Sequence, residues 1–266
     1  MREAAPAAPL NLRVFGMRRS GNHAVIDWLR RNMPGEVVFL NDCAPGDPFR
    51  TYAMMETPRG DRHGPSFRAT RWFPQFDEGR EARSHIVSYE DMAPDAAGPP
   101  EGWPDPLPAP FRTVVIHRSF LNWLASFHAL VLDRNRGTRW GVREPGEVAP
   151  FVALYGGLLG ARCDLSICFD SWLRSAAYRR GAVRALGLVP RDDARGEESP
   201  YGGGSSFDGG CPSDRWRGMV EADGFETLAR EAGRDPAFLA RLANIYPRDA
   251  AVLARLAAGG SLKDER

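Results

Sequence analysis

Two short segments of the chain carry residue types suited to holding anions. The first is Phe15-Gly16-Met17-Arg18-Arg19-Ser20-Gly21-Asn22-His23. It follows an apolar run, Leu12–Gly16, that predicts a strand, and it leads into an amphipathic stretch that predicts a helix over about Asn22 to Arg31. Glycines let the chain turn tightly between the two. Backbone N–H groups at the start of such a helix, with its dipole, attract phosphate or sulfate. Arg18 and Arg19 add positive charge, and Ser20, Asn22 and His23 add hydrogen-bonding groups. The plainer account is a capped helix with two surface arginines. The GxxxxGK(S/T) spacing of a triphosphate-hydrolysing loop is not present.

The second segment is Ile116-His117-Arg118-Ser119-Phe120-Leu121-Asn122-Trp123-Leu124-Ala125-Ser126. A strand again ends in an arginine and a helix follows. Ser126 lies eight residues after Arg118, about two turns into that helix. Open parallel sheets bind ligands beyond the carboxyl ends of their strands, so Arg118 is expected on the same edge as Arg18 and Arg19. Taken alone, Arg118 reads as a single exposed arginine.

The elements that must position these residues alternate. Strands are expected at Leu12–Gly16, Glu36–Leu40, Ser84–Tyr89, Phe111–His117 and Leu165–Phe169. Helices are expected at about Asn122–Leu132 and Ser171–Leu186, the latter capped by Asp170, with three short helices after Asp214. Residues 43–83 read as one long loop, and 93–110, with seven prolines, as neither helix nor interior strand. Residues 1–10 read as frayed. This order predicts an α/β chain: a three-layer α/β/α domain with a mostly parallel central sheet and C-terminal helices.

Composition narrows the chemistry. At 266 residues the chain suits one domain. Thirty-five basic against thirty-four acidic side chains leave +1, which argues against a nucleic-acid partner. No apolar run approaches a membrane span, and the N-terminus lacks the apolar core of a secretory signal. The four cysteines, Cys43, Cys163, Cys168 and Cys211, show no paired spacing, which predicts reduced thiols and a cytoplasmic protein. Lys263 is the single lysine. Chemistry needing a lysine in the core, such as a Schiff base or a P-loop lysine, is therefore excluded.

As an ordered pair, the two segments resemble the nucleotide-binding motifs of sulfotransferases that use 3′-phosphoadenosine-5′-phosphosulfate (PAPS). In that P-loop-like family the first loop reads like KSGTT and grips the 5′-phosphosulfate. Here it reads Arg19-Ser20-Gly21-Asn22-His23, with arginine in the place of lysine. The family's arginine and serine, eight residues apart, bind the 3′-phosphate; Arg118 and Ser126 match them. A later Gly-rich loop closes on that phosphate, and Gly202–Phe207, with Gly204, Ser205, Ser206 and Phe207, sits where it is expected without matching the common RKG form. Ile167–Trp172 resembles the strand–helix segment before that loop. The likeness spans about residues 11–220.

The resemblance implies a sulfuryl transfer from PAPS to an acceptor hydroxyl or amine, releasing adenosine 3′,5′-bisphosphate and needing no metal. Arg18, Arg19, Ser20, Gly21, Asn22 and His23 would hold the phosphosulfate, with Arg19 also stabilising the leaving oxygen. In the family a histidine or glutamate at the end of the strand before the 3′-phosphate motif serves as base. Glu90 takes that place here, with Asp91 and then His85 as alternatives. His23 would donate to the transferring group or bind phosphate. Phe207, Trp172 and Tyr178 are candidates to stack on adenine. The acceptor, a small molecule or glycan, would draw on residues 43–83, including Arg68, Arg71, Trp72 and Phe73. The alternatives are a phosphotransferase or kinase on a related P-loop fold, and a non-catalytic nucleotide-binding protein.

Overall fold

Asn11–Gly16 forms β1, whose side chains are apolar on both faces: Leu12 and Val14 point one way, Phe15 the other, and all three are buried. A strand of that kind belongs inside a parallel sheet covered on both sides. In the computed structural model β1 lies between two parallel partners. The structure describes residues 9–57, 60–63, 84–102, 109–129, 149–195, 212–220, 222 and 224–265.

In chain order, β1 is followed by α1 (Asn22–Asn32), β2 (Val37–Asn41), α2 (Pro48–Thr51), β3 (Met54–Thr57), β4 (Gly60–His63), β5 (Ser84–Glu90) and α3 (Pro94–Ala97). Next come β6 (Phe111–His117), α4 (Phe120–Phe127), α5 (Ala149–Leu159), β7 (Leu165–Cys168), α6 (Phe169–Arg174) and α7 (Ala176–Ala185). After a 3-10 segment, Pro212–Met219, the chain adds α8 (Phe225–Ala232), α9 (Pro236–Ile245) and α10 (Pro247–Ala257).

The sheet has seven strands in the order β4-β3-β2-β5-β1-β6-β7. Strands β2, β5, β1, β6 and β7 run parallel; β3 and β4 add an antiparallel hairpin at one edge. One face is covered by α1, α6 and α7, which pack Val25, Trp28, Trp172 and Val183 on Val14, Ile86, Val114 and Ile116. The other is covered by α4, α5 and α8–α10, which pack Trp123, Tyr155, Phe225, Leu242 and Leu253 around Phe15, Val87 and Val115. The result is the three-layer α/β/α arrangement with a mostly parallel sheet. No helix among the described residues is long and apolar enough to cross a membrane.

Several local expectations are corrected. The stretch read as one loop after residue 43 contains α2 and the β3–β4 hairpin. Within 93–110, Pro94 opens the one-turn α3; proline is tolerated at the first helical position, where its missing N–H would have no partner. The helix expected at Ser171–Leu186 is two helices, broken at Ser175, which is extended and caps α7 by accepting from the Tyr178 N–H. Asp170 caps neither: α6 begins one residue before it, and its carboxylate accepts from the Ser119 N–H. Helix α4 starts at Phe120, two residues before the expected Asn122, with Ser119 at its N-cap. Helix α5 carries no amphipathic signal and went unpredicted. Leu10 is buried, with its N–H on Ser84 Oγ at 3.1 Å, so the end of the segment read as frayed is fixed in place.

Candidate functional site

The loop between β1 and α1 is shaped by close packing. Asn22 turns its side chain back under the loop, donating from Nδ2 to the Met17 carbonyl at 3.1 Å and to Glu90 Oε1 at 3.2 Å. Gly16 makes room for it: a Cβ there would lie 2.3 Å from Asn22 Oδ1. The Ser20 N–H closes a turn on Met17 O at 3.1 Å. Arg19 takes a left-handed conformation (φ 68), sparsely populated for a residue with a side chain, and Gly21 follows with φ 89. Gly21 is the N-cap of α1 and supplies no side-chain acceptor, so the helix start, with its dipole, is not neutralised by a capping side chain of its own. Ser20 is fully buried, and its hydroxyl has no partner among the described residues.

The loop is tied to both neighbouring strands. Asp91, just past β5, takes the Arg18 N–H on Oδ1 at 2.9 Å and the Arg18 guanidinium on Oδ2. The Arg18 carbonyl accepts from Trp123 Nε1 at 3.0 Å. Towards β6, Arg118 donates to the Arg19 carbonyl at 3.0 Å, and Arg19 Nε donates to Ser126 Oγ at 3.2 Å. The Arg118 guanidinium lies over the Phe169 ring, 5.4 Å from its centroid. That ring also fills the space beside Gly21, where a Cβ would meet it at 2.3 Å. Arg18, Arg19, Ser20, Gly21, Asn22, His23, Arg118 and Ser126 are thus brought to one edge of the sheet. Phe169, unflagged in the sequence, is the surface between the two motifs.

A group of carboxylates flanks this loop. Glu90 ends β5, and burial raises its pKa; Asp91 pushes the same way, while the Asn22 hydrogen bond, Arg18 and Arg19 oppose the shift. Asp42 follows β2 on the adjacent strand, with a left-handed backbone (φ 50) and its N–H on Ser88 Oγ at 3.1 Å. Burial, then repulsion from Glu90 and Asp91, lifts its carboxyl to about 6, against Arg18 and His23. His23 is lowered by burial, partly offset by Glu56 and Asp42. Its Nδ1 is buried without a partner among the described residues.

Geometry separates the candidate bases. Asp91 is committed to Arg18. His85 pairs with Asn11 at the other end of β5, with its Nδ1 3.0 Å from Asn11 Oδ1, and cannot serve this edge. Glu90 remains. Asp42 was missed, although a carboxylate just past the end of a parallel strand is a readable signal. Trp172 and Tyr178 are occupied elsewhere: Trp172 is buried between Phe169 and Trp28, and the Tyr178 hydroxyl accepts from the Cys168 N–H at 2.9 Å. Gly204, Ser205, Ser206 and Phe207 lie outside the described residues, as do Arg68, Arg71, Trp72 and Phe73.

The edge therefore offers two kinds of chemistry side by side. A helix start without a side-chain cap and three arginines suit a multiply charged anion, and two partly buried carboxylates with raised pKa suit proton uptake. Comparison with protein-family models, with curated proteins and with solved structures gives no match.

Proposed function

We propose that the chain is a PAPS-dependent sulfotransferase. The observation that carries this reading is the junction of the two motifs: Arg118 on the Arg19 carbonyl, and Arg19 on Ser126. A donor with a phosphosulfate and a separate 3′-phosphate needs two anion sites close together on one sheet edge, and two arginine-bearing loops in direct contact meet that need. The α1 N-terminus and the Ser20 hydroxyl, which has no partner among the described residues, fit the phosphosulfate; Arg118 and Ser126 fit the 3′-phosphate.

In this mechanism PAPS supplies an activated sulfuryl group. Glu90 accepts the proton of the acceptor hydroxyl as the new oxygen–sulfur bond forms and the bond to the 5′-phosphate oxygen breaks. Arg19 stabilises charge on the departing oxygen, aided by the α1 dipole. Arg18 holds Asp91 and keeps the loop closed on that side. Asn22 orients Glu90 through its Oε1. Asp42, adjacent to Glu90, raises the basicity of the pair by mutual repulsion.

The test is transfer of labelled sulfuryl from PAPS to a panel of hydroxyl and amine acceptors, alongside thermal shift with adenosine 3′,5′-bisphosphate and ATP. Transfer with a bisphosphate preference supports the reading. ATP preference with phosphoryl transfer supports a phosphotransferase instead. Bisphosphate binding without turnover on any acceptor supports a non-catalytic nucleotide-binding protein.

A further inference from the structure

The peptide joining Arg118 to Ser119 is held at both of its polar ends. Its carbonyl oxygen accepts a hydrogen bond from the Tyr155 hydroxyl of α5. Its N–H donates to Asp170 Oδ2 of α6 at 2.5 Å. The two side chains come from opposite layers of the domain and both are buried, at 1% and 3% exposure. A planar peptide fixed at oxygen and nitrogen cannot swing about its flanking bonds, so the direction in which Arg118 leaves the backbone is fixed with it. The following turn is braced too: the Ser119 hydroxyl donates to Asp249 Oδ2 at 2.7 Å, and the Leu121 N–H reaches the same oxygen at 3.1 Å. Burial pushes the Tyr155 pKa up, which keeps that hydroxyl a donor.

We infer that Tyr155 and Asp170 are positioning residues that aim Arg118 at its anion, and so set how strongly the site distinguishes a nucleotide carrying a second phosphate from one without it. The inference rests on the sulfotransferase reading, because that reading gives Arg118 the 3′-phosphate. Neither residue would touch the nucleotide; both act through one backbone peptide. Tyr155 packs its ring against Phe120, Trp123 and Phe238, so removing the hydroxyl alone leaves the apolar contacts in place.

The experiment is titration calorimetry of the full chain with adenosine 3′,5′-bisphosphate and, separately, adenosine 5′-monophosphate. For Tyr155→Phe the bisphosphate affinity is expected to fall about threefold to tenfold while the monophosphate affinity holds, as suits the loss of one buried hydrogen bond. Asp170→Asn still presents a carbonyl oxygen to the Ser119 N–H and is expected to keep more discrimination than Asp170→Ala. Equal weakening of both nucleotides, or of neither, in Tyr155→Phe overturns the inference. If Tyr155→Phe loses its cooperative melting transition, the same ratio measured in Asp170→Asn and Asp170→Ala decides, and no difference from wild type overturns it. A wild-type protein with no preference for the bisphosphate overturns the sulfotransferase reading itself, and the inference with it.

Discussion

Arg118 donates from its guanidinium to the carbonyl oxygen of Arg19 at 3.0 Å, so the turn after β6 is fastened to the loop after β1. The bond orders the left-handed Arg19 backbone and holds a second positive charge beside the α1 N-terminus. Lysine cannot reproduce it: an ammonium is a point charge without the planar fork that serves a carbonyl and an oxyanion together. Arg118→Lys is expected to lower affinity for adenosine 3′,5′-bisphosphate by about tenfold or more. Ser126→Ala, which removes the partner of Arg19 Nε, should cost less, about threefold. Calorimetry checks both, and an unchanged affinity in Arg118→Lys would remove Arg118 from the binding site.

Glu90 and Asp42 make activity and stability respond oppositely to pH. Transfer needs an ionised base, and burial raises the Glu90 pKa, so the rate should rise with pH through a region above the ordinary glutamate range. Glu90→Gln should reduce the rate by about a hundredfold or more with nucleotide binding retained. For stability the sign reverses. Asp42 has a folded value of about 6 against 3.8 in its unperturbed state, so the folded chain holds this proton more tightly. That contribution is complete below 3.8 and is lost as pH rises through about 6. Asp42→Asn should therefore be more stable than wild type at pH 8, by roughly 1–2 kcal/mol after allowance for its partial exposure, while transferring more slowly. Melting curves at pH 5 and pH 8 test this, and a stability gain of the same size at both would contradict it.

The parts of the fold that were legible in the sequence are those whose pattern is local. The five parallel strands read directly because each is a short apolar run ending at a glycine, a polar residue or a charge, as Phe111–His117 does before Arg118. The β3–β4 hairpin was hidden because Met54–Thr57 and Gly60–His63 are short and sit in a stretch rich in proline, glycine and arginine. Helix α5 was hidden because Ala149–Leu159 is apolar nearly all round, with two glycines, and so lacks a helical stripe. At the site, the placement of the loop residues and Arg118 on one sheet edge was legible from type and spacing, but not the burial of Arg118, which read alone as exposed and is 4% exposed. Asp170 was misread because its partner, the Ser119 N–H, is 51 residues away and only the folded chain brings them together. Phe169 belongs to the same class, because it acts through the loop after β1 and Arg118; Asp42, just past a parallel strand, stood in a readable place.

Gly21 should tolerate no side chain. Its φ of 89 disfavours any L-residue, and a Cβ would sit 2.3 Å from the Phe169 ring, which is itself stacked on Trp172. Gly21→Ala must therefore move either the loop or the ring that underlies Arg118. Strain of this kind costs about 1–3 kcal/mol before any packing change is counted. The variant is expected to melt several degrees lower and to lose nucleotide-induced stabilisation; a normal thermal shift with adenosine 3′,5′-bisphosphate would show that the loop conformation is not needed for binding.

His117 should govern the acid side of the stability profile. It is buried at the end of β6, with Nδ1 2.6 Å from the Tyr246 hydroxyl and Nε2 2.8 Å from Ser166 Oγ. Burial lowers its pKa from 6.5 to about 4, so the folded state resists the proton that the unfolded chain takes up readily. Stability is then complete above 6.5 and falls as the pH drops towards 4, by roughly 3 kcal/mol from this group. The direction is opposite to that of Asp42 over much of the same range, and the two are separable by substitution. His117→Gln is expected to be less stable at pH 7, because it disturbs the link through Tyr246 to Cys168, yet to lose less between pH 7 and pH 4 than wild type does. Denaturant melts at the two pH values give both numbers. An equal loss in the two proteins would mean that other groups, and not this imidazole, set the acid limit of the fold.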